Sequence, residues 1–329
     1  MQFIKMLALI SLLAMQMAGN QAHADTPTFL KSIDVGGYSS VWAMKNRGGD
    51  AEAAVNEVSF ILKWDNQDRW RLFAEIEVEK PLTWQEGIGI STGNAALDIE
   101  RLYADYTFTD QLNIRAGRYL TPVSRWNLLH AAPLVWTTTR PVSTYRLFPM
   151  ALNGAMIHGI KPWGDATFEY SAFVEMLSDQ RDDLHEIRYK NSSGLRGLYS
   201  GSVDASVSYM EFDEDDLIKR QYRMVGFDFI KSRNGWELSG EAFYRRSKDL
   251  GESSGGAYLQ GVAPLGNKWF AVARLENFKE TAQENKERYV LGLAWRYRTN
   301  QIFKIEYAGG HHENVNIPSG LITSVAILF

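Results

Sequence analysis

Apolar and polar residues alternate with a period of two along almost the whole chain. Val58, Phe60, Leu62 and Trp64 alternate with Ser59, Ile61 and Lys63. After Asp65-Asn66-Gln67-Asp68 the phase resumes, with Trp70, Leu72, Ala74, Ile76 and Val78 against Arg71, Phe73, Glu75 and Glu77. Phe168, Tyr170, Ala172, Val174 and Met176 oppose Thr167, Glu169, Ser171, Phe173 and Glu175 in the same way. Successive side chains of a strand point to opposite faces, so each segment predicts a strand with one apolar and one mixed face. The turns alternate in length. Tight ones fall at 65–68, 109–111, 162–165, 200–201, 233–235, 265–267 and 299–300. Longer polar connections lie near 80–96, 121–151, 178–186, 213–219, 248–255, 280–286 and 310–319. This order predicts about sixteen antiparallel strands, the first over 32–45 and the last over 321–329, with 186–199 the weakest in phase.

Many amphipathic strands fit a soluble sandwich or propeller as well as a membrane barrel. The aromatic residues separate these. Trp64, Trp70, Phe108, Trp163, Trp236, Trp269, Tyr297 and Phe303 all flank tight turns. On a barrel they form one ring at a single membrane interface, where an amphipathic ring sits between lipid and water. At the C-terminus Leu321, Thr323, Val325, Ile327 and Phe329 share one face. That resembles the terminal strand by which bacterial outer-membrane barrels are recognised, which makes Phe329, Ile327 and Val325 a candidate assembly signal. Outer-membrane lipid and the barrel-assembly machinery are the partners this implies. In hydrocarbon every backbone polar group needs an internal partner, and only a helix or a closed sheet provides it. The fold expected is therefore all-β, a transmembrane antiparallel β-barrel with short periplasmic turns and longer outer loops. Near sixteen strands the interior is too wide to fill and leaves an aqueous channel. Lys63, Arg71, Glu75, Asp105, Arg115, Glu169, Asp204, Glu241, Arg296, Lys304 and Glu306 lie on the mixed faces that would line it.

Composition narrows the function. Lys5, the apolar run 6–17 and Ala22-His23-Ala24 form a secretory signal peptide over 1–24, cleaved at the Ala22/Ala24 site, which leaves 25–329 as the barrel. The leader holds one cation and no acid. The chain's 35 Lys+Arg against 39 Asp+Glu then give the mature part a formal charge of −5 with no basic tract, so nucleic acid is not a partner. No stretch beyond the leader reaches the roughly 18 apolar residues of a spanning helix. The absence of cysteine excludes disulfides, thiolate chemistry and cysteine-bound zinc. Gly251-Glu252-Ser253-Ser254-Gly255 spells a serine-hydrolase motif, but it falls in a Gly/Ser loop rather than a strand-to-helix elbow. His311-His312-Glu313 lacks the further ligands a metal needs. The acidic runs 213–216 and Asp179 with Asp182-Asp183 solubilise outer loops, with divalent-ion bridging to lipid phosphates as the alternative. His158, alone on a strand, is assigned to the wall. No catalytic residue, metal or cofactor is assigned.

One connection differs from the others. After Leu112 to Gly117 the phase is lost near Arg118, and about thirty residues pass before Asn153-Gly154. Insertions of that length are uncommon and usually functional. This one is apolar and basic, with Trp126, Leu128, Leu129, Leu134, Trp136, Leu147 and Phe148 beside Arg125, Arg140 and Arg146, and no acid occurs between Asp110 and Asp165. Such a loop is expected to fold inward against the wall and leave arginines in the channel. Gly117-Arg118-Tyr119-Leu120-Thr121-Pro122, then Arg140-Pro141, then Gly154 resembles the motif series of the phosphate-selective-porin-like outer-membrane proteins. The resemblance implies a passive channel, often trimeric, constricted by this loop. The strands carry no dense lysine series like that of the phosphate-binding members. The function expected is a porin for small hydrophilic solutes, biased toward anions by Arg115, Arg125, Arg140 and Arg146, with Arg296, Asp105 and Glu169 also lining the pore. A structural, adhesive or receptor barrel is the alternative, and a barrel hydrolase a more distant one.

Overall fold

The alternating segments become long strands that close on themselves. The computed structural model describes residues 32–47, 49–178, 188–215, 220–280, 285–311 and 318–329. In chain order the strands are β1 (Ile33–Asn46), β2 (Ala51–Asp65), β3 (Trp70–Gln85), β4 (Gly89–Ser91), β5 (Ala96–Thr109), β6 (Leu112–Leu120), β7 (Ala151–Trp163), β8 (Ala166–Leu177), β9 (Tyr189–Ser200), β10 (Asp204–Glu214), β11 (Arg220–Arg233), β12 (Trp236–Ser247), β13 (Ser253–Gly266), β14 (Trp269–Lys279), β15 (Lys286–Arg298), β16 (Gln301–His311) and β17 (Gly320–Leu328). The three-residue β4 pairs only with the end of β3. The other sixteen form the wall, each antiparallel to its neighbours, and β1 pairs with β17 to close it. The weak phase of 186–199, most of which is β9, has a local cause. Asn191 takes a left-handed φ of 53°, and the register with β10 slips between Glu211 and Asp213.

Register sorts the side chains cleanly. Phe60, Leu72, Ile76, Ile157, Val207, Leu259, Leu275 and Leu291 are all exposed on the outward face. A soluble protein does not present so large an apolar surface, whereas in a bilayer this is the face that hydrocarbon covers. Trp64, Trp70, Phe108, Trp163, Trp236, Trp269, Tyr297 and Phe303 lie on the outward rows at the tight-turn end. Neighbours in that ring touch, as Trp70 does Tyr106 at 4.9 Å and Trp269 does Trp295 at 5.6 Å between centroids.

The seam depends on the last residue. Phe329 N donates to Gly37 O at 3.0 Å, Gly37 N donates to Phe329 O at 2.9 Å, and the Phe329 ring meets Phe60 edge-on at 6.2 Å. Val325 pairs with Val41 and Ile327 with Ser39 along the same edge. Gly37 has no room for a side chain, since a Cβ there lies 2.2 Å from Ser59 O and 2.8 Å from the Phe329 ring. Deleting Phe329, or replacing Gly37→Val, is expected to lower the yield of heat-modifiable folded barrel on a semi-native gel, while surviving barrels conduct normally. An unchanged folded fraction for both variants would refute the role of this seam. The proposed leader with Ala22 and Ala24, His312 with Glu313, and the acids at 179–183 and 216 lie outside the described residues.

Candidate functional site: a loop held inside the barrel

β6 ends at Leu120 and β7 begins at Ala151, so 121–150 join them. Where strand phase stops, the segment is not structureless. Helix α1 (Arg125–Leu128) is capped by Ser124, whose Oγ accepts from Asn127 N at 3.1 Å, and a 3-10 turn (Val142–Thr144) follows Pro141. Gly117 and Gly154 are direct partners across β6 and β7. A Cβ on Gly117 lies 2.3 Å from Leu102 O, and one on Gly154 lies 2.0 Å from Val174 O, so these motif glycines let β6 lie tight against β5, and β7 against β8, at the insertion's root. Tyr119 is fully buried there and donates to Ala155 O at 2.9 Å, and Pro122 and Pro141 are buried as well.

Asn127 clasps the neck. Its Nδ2 donates to Thr121 O at 3.0 Å and to Met150 O at 2.7 Å, while its Oδ1 accepts from Arg140 Nη2 at 2.9 Å. Arg140 also donates to Thr144 O at 2.8 Å and Thr144 Oγ1 at 3.0 Å. The sequence pattern does not reveal Asn127, because a single buried amide in a loop has no period or spacing to mark it.

The rest of the segment is fastened to strands far along the chain. A buried backbone group without regular structure still needs a partner, and here the wall supplies side chains. Glu241 on β12 accepts from Ser124 Oγ at 2.6 Å, Trp126 N at 2.8 Å and Tyr258 OH at 2.8 Å. Glu276 on β14 accepts from Val142 N at 2.9 Å. Glu306 on β16 accepts from Thr138 N and Thr139 N, each at 2.8 Å. Cations meet the opposite groups. Lys304 donates to Ala132 O at 2.7 Å, Arg274 to Thr139 Oγ1 at 2.9 Å, Arg245 to Leu147 O and Arg296 to Pro133 O, each at 3.2 Å. Apolar contacts fill the spaces between. Val123, Val142, Leu147 and Phe148 pack with Met210, Phe212, Tyr222, Met224, Phe243 and Phe278 of the wall. This corrects one expectation. Glu241, Lys304 and Glu306 do point inward, but they are at most 2% exposed beneath the insertion rather than bathed by the channel. Arg296 is half-buried, with its guanidinium 4.3 Å above the Trp136 ring.

The arginines of the insertion sit in a loop without acids, yet the wall provides acids in space. Arg115, at its root on β6, forms a two-pronged pair with Asp105, both contacts at 2.8 Å, and lies 3.7 Å over the Tyr103 ring. His158 Nε2 is 3.3 Å from the same carboxylate. Arg125 is 3.4 Å from Asp228 and 3.7 Å from Asp204. Arg146 is 2.8 Å from Glu280. Among the described residues Arg140 alone of the four forms no ion pair within 4 Å. Glu169 stands on the inward row of β8 opposite Ile160, half-exposed. At the tip, His130 Nδ1 donates to Asn127 O at 2.7 Å, and its Nε2 is 3.5 Å from Glu100 of β5. Burial, and then the neighbouring Arg140 cation, push the His130 imidazole down to about 4. The side of the lumen facing this tip carries the inward rows of β2, β3 and β5, which bring together Glu57, Glu77, Glu79, Asp98 and Glu100 with Lys63, Arg71 and Arg101. The serine motif at 251–255 runs from a loop into β13, and Ser254 Oγ accepts from Arg245 Nε at 2.7 Å.

No family model matches the chain. An uncharacterized protein of Aquifex aeolicus is 28% identical over 183 residues, which is 55% of this chain and 40% of that relative's length. Solved structures match far more of the molecule. An anion-selective porin from Comamonas acidovorans superposes with a TM-score of 0.63 at 14% identity, over 90% of this chain and 98% of the porin. OmpF of Salmonella typhi, solved with daunomycin, gives 0.64 at 11% identity, over 90% and 97%. The trimer form of OmpT, an outer membrane protein of Vibrio cholerae, gives 0.61 at 9% identity, over 90% and 98%. These likenesses establish the shared sixteen-stranded barrel.

Proposed function

We propose that this protein is a passive diffusion channel of the bacterial outer membrane for small hydrophilic solutes, and that the segment 121–150 forms its constriction. The observation that carries this is the segment itself: thirty residues turned into the barrel and held there by Glu241, Glu276 and Glu306. A barrel serving only as an anchor has no need for a lumenal loop fixed so firmly. The porins among its structural neighbours support the same reading, and the trimer form of one neighbour supports a homotrimer. The terminal strand ending in Phe329 is the part we assign to the assembly machinery. Purified protein in planar bilayers is expected to give large, stable conductance steps. Folded protein that inserts without conducting would favour the structural or receptor alternative.

The finer reading is a bias toward anions. Arg140 supports it, because its guanidinium meets amide, carbonyl and hydroxyl oxygens, and the structural neighbour from Comamonas acidovorans is itself an anion-selective porin. The pairing of Arg115, Arg125 and Arg146 with carboxylates limits its size. The Arg115–Asp105 pair gives a test with opposite signs. A lone charge about 8 Å from a permeating ion in water changes its energy by ~0.5 kcal/mol, or about twofold in local concentration. Asp105→Asn is therefore expected to shift the reversal potential toward anions by about that factor, and Arg115→Ala toward cations. Identical reversal potentials for both variants and wild type would remove this pair from the permeation path.

A further inference from the structure

The outward face of β12–β15 breaks the run of large apolar side chains that hydrocarbon requires elsewhere. Gly261 pairs with Ala273 and Ala263 with Ala271, so four small residues make a floor two strands wide. Leu238 stands opposite Gly261 on one side, and Leu291 and Leu293 stand opposite Ala273 and Ala271 on the other. The result is an apolar trough of about 720 Å³. Leu259 and Leu275, paired across β13 and β14, bound it toward the outer loops. On its β11 side stand Lys231, opposite Leu238, and Arg233, opposite Trp236, both exposed on the outward row and neither in an ion pair among the described residues; Glu237 also lines the trough. Trp236, paired with Arg233, stands beside them.

Gly261 has no internal reason to be glycine. A Cβ there meets nothing within 4 Å, whereas one at Gly37, Gly117 or Gly154 strikes backbone closer than 2.5 Å. A strand glycine weakens its strand and often marks a place where something else comes close. In this wall that something comes from outside.

We propose that the trough seats one acyl chain of an anionic phospholipid of the periplasmic leaflet, with its phosphate held between Lys231 and Arg233. The apolar floor fits a hydrocarbon chain. Arg233 stands level with the interfacial Trp236, and Lys231, one outward position deeper and opposite Leu238, has a stem long enough to reach the height at which headgroups lie. Adjacent positive charges there select an anionic headgroup over a zwitterionic one. A second copy of the barrel would have to bring acids to that same height. The inference rests on the reading of the barrel as membrane-spanning with its tight turns in the periplasm.

Native mass spectrometry of the detergent-purified protein, titrated with palmitoyl-oleoyl phosphatidylglycerol and separately with the phosphatidylcholine of the same chains, tests it. One phosphatidylglycerol is expected to remain bound through desolvation, and phosphatidylcholine is expected to leave. Replacing Lys231→Gln together with Arg233→Gln is expected to weaken retention on the order of tenfold. Gly261→Leu or Ala273→Leu, which fill the trough, should displace the lipid while the barrel stays heat-modifiable. Equal retention of the two lipids, or retention unchanged by the charge pair and by either filling substitution, would overturn the proposal. So would a Gly261→Leu protein that keeps its lipid but loses an oligomer, since the trough would then belong to a second copy. Conductance measured on the same samples separates this outcome from failure of the channel reading, because lipid can be retained by a barrel that does not conduct.

Discussion

A protein carrying Glu241→Ala and Glu306→Ala should form a normally closed barrel whose conductance is larger and noisier than wild type. Glu306 accepts two backbone N–H groups at 2.8 Å, and Glu241 accepts one N–H and the capping hydroxyl of Ser124. Removing one partner of a buried, charge-assisted bond leaves the other stranded and costs about 1–3 kcal/mol per group. The double variant therefore loses several kcal/mol of docking energy, enough to leave the insertion undocked for a large part of the time. None of these bonds belongs to the strand ladder, so folded yield should not change. Released, the segment exposes Arg125, Arg140 and Arg146 to trypsin in an otherwise resistant barrel. Replacing Glu169→Ala, a half-exposed residue that makes no hydrogen bond or ion pair with the loop among the described residues, is the control and should leave the protease resistance and the noise unchanged. Wild-type conductance together with full protease resistance in the double variant would show that the carboxylates do not hold the loop.

Acid should produce a graded version of the same release. His130 is docked with its imidazole pushed down to about 4, while free in water it ionises near 6.5. At this ring the undocked state thus binds more protons throughout that interval. By linkage, this ring's own contribution to docking is full above about pH 6.5 and is lost steadily as the pH falls toward 4, below which no further loss comes from it. The total change is at most ~3 kcal/mol. The groups around the ring are Glu100 from β5, Arg140 and the Asn127 carbonyl from the insertion, and more distantly Glu75 and Arg101. Between pH 6.5 and 4, current noise in planar bilayers is expected to rise more in the wild type than in His130→Asn. The same noise profile in the variant would assign the acid response to other groups.

How much of this is readable from sequence depends on whether the information is periodic. The strands, the outward aromatic ring and the terminal seam follow from alternation, which one chain displays in full because every wall strand is amphipathic in the same way. The glycines at 117 and 154 are visible as motif residues, although their purpose, close approach of β6 to β5 and of β7 to β8, needs the register. The dock is not readable. Glu241, Glu276 and Glu306 look like any other inward charge on a strand, and only the fold shows that backbone from 124–142 arrives above them. The absence of acids between Asp110 and Asp165 misleads in a similar way. Sequence neighbourhood is not spatial neighbourhood in a barrel, and Asp105, Asp228 and Glu280 reach the arginines from other strands.

The loop's anchors also set an order of events. Its root lies in β6 and β7, but Thr138 bonds to Glu306 and Ser324, 168 and 186 residues further along the chain. Contacts of such sequence separation form late, because the intervening chain must first be confined. On the proposal that this loop is the constriction, its docking waits until β16 and β17 are in place and the seam at Phe329 has closed. On that reading a barrel stalled before that point keeps a wider lumen, so the final strand completes the narrowing as well as the wall.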